Sequence, residues 1–325
     1  MKDVRIEKRL KCLVIANPAA GQADRSLVDD VAKICAAHGA EVRIAWTARP
    51  GHAVRLACDA VRSPARDSFQ VVVSVGGDGT TREVACGLVV GGASAARHAL
   101  LVVPAGTGNS TYRGLWGDRP WQEAAELALA DPAGWVHRLD LARVAESKRL
   151  VVLGAGAGLT AKVIEGTRDL ATSGTDAELT GPARLQAGLQ RALAGFRPYP
   201  GRVTVDGTVL HEGPTLFANV GGGRYRAWHY QVLPRSVPDD GLLDVCVVGA
   251  GVGVEFAELQ ARLREGAHLD LPDVFYRSGR RVVIERTDGE PLCFEHDGDL
   301  VPDPGQRATL EVRPRLLPVL CDLGR

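Results

Sequence analysis

The chain predicts an α/β fold: an amino-terminal domain with a doubly wound parallel sheet, then a second, mainly antiparallel β domain. Three observations predict it. Strand and helix patterns alternate up to about residue 138, three of those strands run into loops of small residues, and beyond Leu139 β patterning with Asp-Gly turns takes over. Alternation argues for parallel strands joined by helices, and closely spaced strands with turn pairs argue for hairpins. The predicted division is 1–138 and 139–307.

The first strand, Cys12 to Ala16, runs into Asn17-Pro18-Ala19-Ala20-Gly21. Lys8, Arg9 and Lys11 ahead of Leu13-Val14-Ile15 imitate a secretory leader. The apolar segment ends at Asn17-Pro18, short of the roughly 7–15 residues a leader needs, so a core strand is the expectation. A helix around Leu27 to His38, strand Glu41 to Trp46 and a helix around Ala53 to Val61 follow. Strand Val71 to Val75 then runs into Gly76-Gly77-Asp78-Gly79-Thr80, with the next helix starting near Thr80, and strand Leu100 to Val103 runs into Pro104-Ala105-Gly106-Thr107-Gly108-Asn109-Ser110. The next helix takes Asp118 as its N-cap, Pro120 in its first turn and Pro132 as its end.

In the second domain strands are expected at Leu150 to Leu153, Val203 to Val205, Leu216 to Val220, Leu243 to Val248 and Arg281 to Ile284, with turns at Asp206-Gly207 and Asp288-Gly289. Gly166 to Thr180, rich in Gly, Thr, Ser and Asp, reads as a long loop over a cleft. Gly181 to Leu193 reads as a helix, with Leu185, Leu189, Ala192 and Leu193 near one face. The longest apolar stretch, Val84 to Ala96, holds three glycines and falls short of the roughly 20 residues of a spanning helix, so any membrane contact is expected to be peripheral.

The loop behind Val71 to Val75 carries the chemistry. Two glycines let the backbone turn sharply and bring its N–H groups close to a phosphate, and Gly79 keeps the next approach open. Asp78 repels phosphate unless a cation lies between them, and Mg²⁺ favours one or two carboxylates plus phosphate oxygens. The pentapeptide therefore implies a nucleoside triphosphate with Mg²⁺, or else a glycine turn with Asp78 capping the helix behind it. In an open parallel sheet, loops at the carboxyl ends of strands converge on one ligand crevice.

Composition narrows the classes further. With 325 residues and 45% hydrophobic content the chain reads as a two-domain globular enzyme. Lys plus Arg and Asp plus Glu both total 39, so no global basic field recruits nucleic acid. Cys12, Cys35, Cys58, Cys86, Cys246, Cys293 and Cys321 form no CxxC pair, which predicts reduced, mostly buried thiols in a cytoplasmic protein. His229, His268 and His296 have no ligand spacing and read as solvated or core residues.

The three loops together resemble the diacylglycerol kinase catalytic family, which includes bacterial lipid kinases and the sphingosine and ceramide kinases. Gly76 to Leu88 matches the longest signature of that family, Asn17 to Gly21 its NPxxG loop and Pro104 to Asn109 its P-x-GTGN loop. Phe217 to Gly223, Asp239 to Asp244 and Asp297-Gly298-Asp299 follow in the family's order. The resemblance implies an ATP- and Mg²⁺-dependent kinase acting on a lipid hydroxyl. It implies nucleotide contacts from Asn17, Pro18, Ala19, Ala20, Gly21, Thr47, Gly76, Gly77, Asp78, Gly79, Thr80, Thr81, Arg82 and Thr107, with Asp78 also catalytic. It further implies a structural Mg²⁺ on Asp240 and the carbonyls of Val237 and Leu242, a general base at Asp299, and a tail at 308–325 that returns to the first domain.

Other readings stay open at several of these positions. Asp239-Asp240-Gly241 is also a plain turn signal, Asp297-Gly298 also a hairpin signal, and the helix at Gly181 either packs on the sheet or borders an acyl-chain groove. Two positions depart from the family. Ser110 stands where the family carries Asp, and Asp299 where it carries Glu, so the acceptor stays open. Rival readings are a kinase of a non-lipid alcohol, an NAD kinase, which shares GGDGT but not the later signatures, and a catalytically silent ATP-binding regulator. Arg184, Arg191 and Arg197 are the candidates for meeting anionic head groups at a membrane surface.

Overall fold

The computed structural model describes residues 10–64, 69–173, 181–227 and 230–324. It is a mixed α/β structure of two compact units: Met1–Gly106 with Leu115–Arg138 and Leu317–Arg325, and Thr107–Gly114 with Leu139–Leu316.

The first unit is built on a parallel sheet. Strand β1 (Lys11–Ala16) lies between β2 (Glu41–Trp46) and β3 (Val71–Gly76), and β3 pairs with β4 (Ala99–Pro104). Every residue of β3 is buried, as its unbroken apolar run requires of a strand covered on both faces. Helices α1 (Arg25–Ala37), α2 (His52–Arg62) and α3 (Asp78–Gly91) make the crossovers. The starts of the first two are fixed by side chains. Asp24 accepts from the Leu27 N–H at 2.8 Å, while Glu83, reaching from α3, accepts from the Gly51 and Ala53 N–H groups at the start of α2.

After β4 come α4 (Ser110–Trp116), α5 (Trp121–Ala130) and α6 (Pro132–Trp135). The expected helix boundaries need correction here. Pro120, not Asp118, occupies the N-cap of α5, and Pro132 begins α6 instead of merely ending α5. A proline at the first helical position loses no hydrogen bond, and Asp131 supplies the cap by accepting from the Gly134 N–H.

The second unit is mainly antiparallel, as the turn signals predict. Its elements are β5 (Val136–Val144, entered from the first unit), β6 (Leu150–Val151), β7 (Ala155–Gly158), α7 (Leu159–Ser173), α8 (Gly181–Gly195), β8 (Tyr199–Val205), β9 (Thr208–Gly221), β10 (Leu243–Gly249), α9 (Phe256–Glu265), β11 (Val274–Gly279), β12 (Arg281–Arg286), β13 (Phe294–His296), β14 (Asp299–Leu300) and β15 (Arg307–Leu320). Strand β9 is the hinge of the pairing: its first half meets β8, and its second half lies between β7 and β10. Successive residues of a strand face opposite sides. Ala218, Val220, Val245 and Val247 therefore enter one core cluster, while Phe217, Cys246 and Val248 enter another beside Leu159 and Leu259.

Two further expectations fail. Gly166 to Ser173 is the end of α7, not a loop. Its small residues serve a helix crossing, since a Cβ on Gly166 would stand 2.8 Å from the Gly188 carbonyl of α8. Residues 174–180 of the expected loop, and His229, lie outside the described residues. The strand expected at Leu150 to Leu153 stops at Val151, because the next three N–H groups bond to the Asp297 carboxylate instead of to a neighbouring strand. At the carboxyl end of β15, Val319 pairs in parallel with Leu100 of β4, and the Cys321 N–H donates to the Trp135 carbonyl.

Candidate active site

In the first unit the loops behind β1, β2, β3 and β4 are tied together by backbone bonds. The Asn17 N–H donates to the Val75 carbonyl, Thr47 to Ala16, Ala105 to Gly76 and Gln22 to Ala105, all within 2.8–3.1 Å. Asn17 adds the side-chain bonds. Its Nδ2 donates to Thr80 Oγ1 at 3.0 Å, and its Oδ1 accepts from the Ala19 N–H at 3.0 Å and from Thr47 Oγ1 at 3.3 Å. Asn17, Ala19, Thr47 and Thr80, four of the sequence-predicted contacts, are thus joined around one amide. Pro18, Ala19 and Gly21 are exposed and Ala20 half-buried in the same loop.

The Gly76 to Thr80 turn is held as closely. A Cβ on Gly77 would lie 3.2 Å from the Gly106 Cα, so the two glycine loops touch through bare backbone. Helix α3 begins at Asp78 with Gly77 as its N-cap, two residues earlier than Thr80, and this corrects the capping alternative for Asp78. Asp78 sits half-buried inside the first turn, Gly79 is exposed, and Thr80 and Thr81 are buried. Thr81 Oγ1 pairs with Ser74 Oγ of β3 at 3.2 Å, anchoring the helix start to the sheet. Arg82 is half-buried in the same helix.

The N-terminal end of a helix favours an anion through its N–H groups and its dipole. Among the described residues no group of three or more His, Cys, Asp or Glu side chains could hold a metal ion. A single carboxylate at a helix start is a donor set that fits Mg²⁺, an ion that takes one or two carboxylates and fills its other positions with phosphate oxygens and water.

The remaining predicted residues lie in the second unit. Thr107 is exposed and stands next to Gly181, at the start of α8, and Ser110 is the buried first residue of α4. Asp240 is exposed, and its Oδ1 accepts from the Leu242 N–H at 2.9 Å in a local turn between half-buried Val237 and Leu242. A buried carboxylate that sequence reasoning missed supports this turn. Asp140 accepts from the N–H groups of Gly241 at 2.5 Å and Arg315 at 2.6 Å, and burial pushes its carboxyl up from the ordinary range.

Asp299 is exposed and opens β14. The turn before it is left-handed at both residues, with φ of 52° at Asp297 and 83° at Gly298. Asp297 is spent on structure: its carboxylate accepts from the N–H groups of Val152, Leu153 and Gly154 at 2.7–3.2 Å. Glu295, also missed, is 6% exposed, accepts from the Gly298 N–H at 3.0 Å, and is pushed up to about 7 chiefly by burial. Its only sequence cue was its place two residues before Asp297. His268 is a core residue, with Nε2 3.2 Å from the Val232 carbonyl, and His296 is buried too.

A cavity of about 420 Å³ opens between α7 and α8, with Lys162, Arg191, Arg197 and Arg286 among its lining beside Phe196 and Tyr199. Of the arginines singled out from the sequence, Arg191 and Arg197 line it. No described helix is long and apolar enough to cross a membrane.

The comparisons with known proteins agree with this architecture. The model of the diacylglycerol kinase catalytic domain matches residues 11–144, and that of the YegS C-terminal NAD kinase beta sandwich-like domain matches residues 156–321. The protein of Pseudomonas syringae pv. syringae (strain B728a) named "Probable lipid kinase YegS-like" is 30% identical over 282 residues, 86% of this chain and 83% of that protein. One of the same name from Pseudomonas aeruginosa (strain UCBPP-PA14) is 31% identical over 68% of this chain and 71% of its own. Among solved structures, a crystal structure of a diacylglycerol kinase from Bacillus anthracis str. Sterne superimposes with a TM-score of 0.66 at 22% identity, over 97% of this chain and 98% of its own. A second crystal structure from that organism reaches 0.76, also at 22% identity, over 99% and 98%. At that identity the structures speak for the fold, and the family models and the relatives speak for descent. The chain belongs to the diacylglycerol kinase catalytic family, in its YegS-like lipid kinase branch, and so to the phosphotransferases with an alcohol acceptor.

Proposed function

We propose that the protein transfers the γ-phosphoryl group of ATP, with Mg²⁺, to a hydroxyl of a lipid of the diacylglycerol or sphingoid class, met at a membrane surface. The observation that carries the reading is the junction at Asn17, where one amide ties the loop behind β1 to Thr47 and to Thr80 of the GGDGT helix. Phosphoryl transfer asks a protein mostly for positioning and charge stabilisation, and a cradle of cross-tied loops at a helix start supports that.

In this reading the backbone of Asn17 to Gly21 and Gly76 to Arg82, with Thr107, holds the nucleotide. Asp78 would hold Mg²⁺, which when bound neutralises charge on the phosphates. Asp240, with one carboxylate oxygen turned to the Leu242 N–H, would hold a structural Mg²⁺ with the carbonyls of Val237 and Leu242. Asp299 accepts the proton of the acceptor hydroxyl, from a hairpin fixed by Asp297. Its side chain is one methylene shorter than the family's Glu, so the acceptor hydroxyl must come correspondingly nearer.

Labelled ATP offered with extracted lipids, soluble alcohols and NAD, followed by mass identification of the labelled product, tests the reading. Label in a lipid product that requires Mg²⁺ is the expected result. Label confined to a soluble alcohol or to NAD would overturn the lipid assignment. ATP binding with no ADP released for any acceptor would make the protein a regulator.

A further inference from the structure

The register of the second unit places Glu295 of β13, Gly156 of β7, Asn219 of β9 and Cys246 of β10 in one row. Neighbours in such a row share a face of the sheet. Gly156 has no side chain, so the row carries a gap between Glu295 and Asn219. A Cβ there would lie 2.5 Å from Thr160 Oγ1, 2.8 Å from Glu295 Oε1 and 2.9 Å from Asn219 Oδ1. Three polar side chains therefore converge on the gap, two from the sheet and one from the first turn of α7. Asn219 is 1% exposed, and among the described residues neither its amide nitrogen nor its oxygen has a partner. Buried amides are normally bonded, so this one marks hydrogen-bonding capacity still to be used.

The other carboxylate oxygen of Glu295 accepts from the Gly298 N–H, on the residue just before Asp299. The Asp297–Gly298 turn is thus gripped from two sides, by Asp297 on the N–H groups of 152–154 and by Glu295 from beneath.

We propose that Glu295, with Asn219 and Thr160 across the gap, is the positioning residue for Asp299, and that its charge sets how strongly Asp299 holds a proton. The proposal rests on Asp299 being the general base. An ionised Glu295 accepts from the Asn219 amide, and a protonated one donates to the Asn219 oxygen or to Thr160 Oγ1, whose own proton goes to the Ala157 carbonyl at 3.3 Å. The Asn219 amide serves both states by presenting its nitrogen or its oxygen.

The groups facing Glu295 fix the direction of the effect. Burial favours its protonated form, Asp297 and Asp299 in the turn add to this, and the Gly298 N–H and Arg226 oppose it. Cys293 lies just before β13 and His296 follows on it, Cys246 lies along the row on β10, and α7 contributes Thr160. Ionised, Glu295 makes Asp299 the stronger base, so turnover rises with pH as Glu295 loses its proton. Stability runs the other way. A carboxyl held above its ordinary 4.5 contributes stability that is complete below that pH and is lost as pH rises through about 7.

The test is a set of kcat–pH and Tm–pH curves for the wild type, Glu295→Gln, Asn219→Leu and Asp299→Asn, on the lipid acceptor that the wild type uses. Glu295→Gln should flatten the acidic limb near neutrality, lower kcat at pH 8 by about tenfold, and gain about 5 °C in Tm relative to the wild type between pH 5 and pH 8. Asn219→Leu should move the limb to higher pH by about one unit, because the ionised carboxylate loses a donor. A wild-type acidic limb in Glu295→Gln, or Tm curves that run parallel for the two proteins, would overturn the proposal. Wild-type kcat in Asp299→Asn would instead remove the general-base reading on which it rests, and the Tm curves would still report the buried proton of Glu295 by themselves.

Discussion

The two units solve the problem of holding reactive groups in opposite ways. In the first, backbone does most of the work: short loops behind parallel strands are tied by N–H to carbonyl bonds, and helix α3 starts directly behind its strand at Asp78. In the second, the proposed base stands on a two-residue turn held by carboxylates drawn from the hairpin itself, and Asn219 and Thr160, from far along the chain, face one of them. The first arrangement is written in contiguous sequence. The second exists only once the register of β13, β7 and β9 is set, because a one-residue slip would move every side chain in the row to the other face.

The largest effect should separate the two most sharply. Asp78→Asn keeps the helix start and its N–H groups but removes the carboxylate proposed to hold Mg²⁺, a contribution of several kcal/mol to transition-state charge. Turnover should fall by at least about 10³-fold, with ATP binding weakened mainly when Mg²⁺ is present. Steady-state rates with and without Mg²⁺, beside an unchanged melting curve, check it. A variant turning over at the wild-type rate would leave Asp78 as an ordinary first-turn residue.

Asp299→Asn comes next and bears on the second unit alone. Loss of a general base costs about 10²–10⁴-fold in kcat, and ATP affinity should stay near its original value because the backbone cradle is untouched. Asp299→Glu, which restores the family residue, should retain measurable activity. If Asp299→Asn keeps the wild-type kcat, proton acceptance passes to another group and the contrast drawn above loses its catalytic meaning.

What the sequence made legible follows the same contrast. The parallel sheet, its helices and the Asn17, Thr47 and Thr80 loops were readable because each strand and its loop are neighbours in the chain. The Gly166 region was misread because glycines that permit a helix crossing have the same composition as a loop. Asp140 was not legible at all. It is one acid in the apolar run Leu139 to Ala142, and its partners Gly241 and Arg315 are reached only through the fold. Glu295 shares that defect, Asn219 stood in the Phe217 to Gly223 stretch without a role of its own, and Asp299 was visible only through its Asp-Gly turn and the resemblance.

A smaller effect probes the cradle without touching the chemistry. Asn17→Ala removes the amide that joins three loops, at roughly 1 kcal/mol for each lost bond. ATP binding should weaken by about tenfold with kcat retained, since the lost interactions serve ground state and transition state alike. Calorimetric titration with a non-hydrolysable ATP analogue, beside KM and kcat, tests this. A fall in kcat at unchanged KM would mean that Asn17 aligns the reacting phosphate instead of holding the nucleotide.

The smallest expected effect concerns how the second unit meets its acceptor. Arg191 and Arg197 are exposed on the rim of the cavity between α7 and α8, and Lys162 and Arg286 line it too. Lys162 already pairs with Glu165 at 2.6 Å and Arg286 with Asp288 at 2.8 Å, so part of that charge is spent within the protein. A basic side chain near an anionic surface contributes about 1 kcal/mol, and the contribution fades within a Debye length. Arg191→Gln and Arg197→Gln should therefore each weaken sedimentation with anionic vesicles by about fivefold at low salt, and together by more. Raising the salt should shrink the difference between variant and wild type, and vesicles of neutral lipid should show none. Activity on a short-chain acceptor dispersed without vesicles should stay unchanged, because neither arginine is assigned to the nucleotide or the hydroxyl. Equal losses on neutral and anionic vesicles would assign the two arginines to the fold of the α7–α8 pair and leave the membrane contact to be sought elsewhere on the molecule.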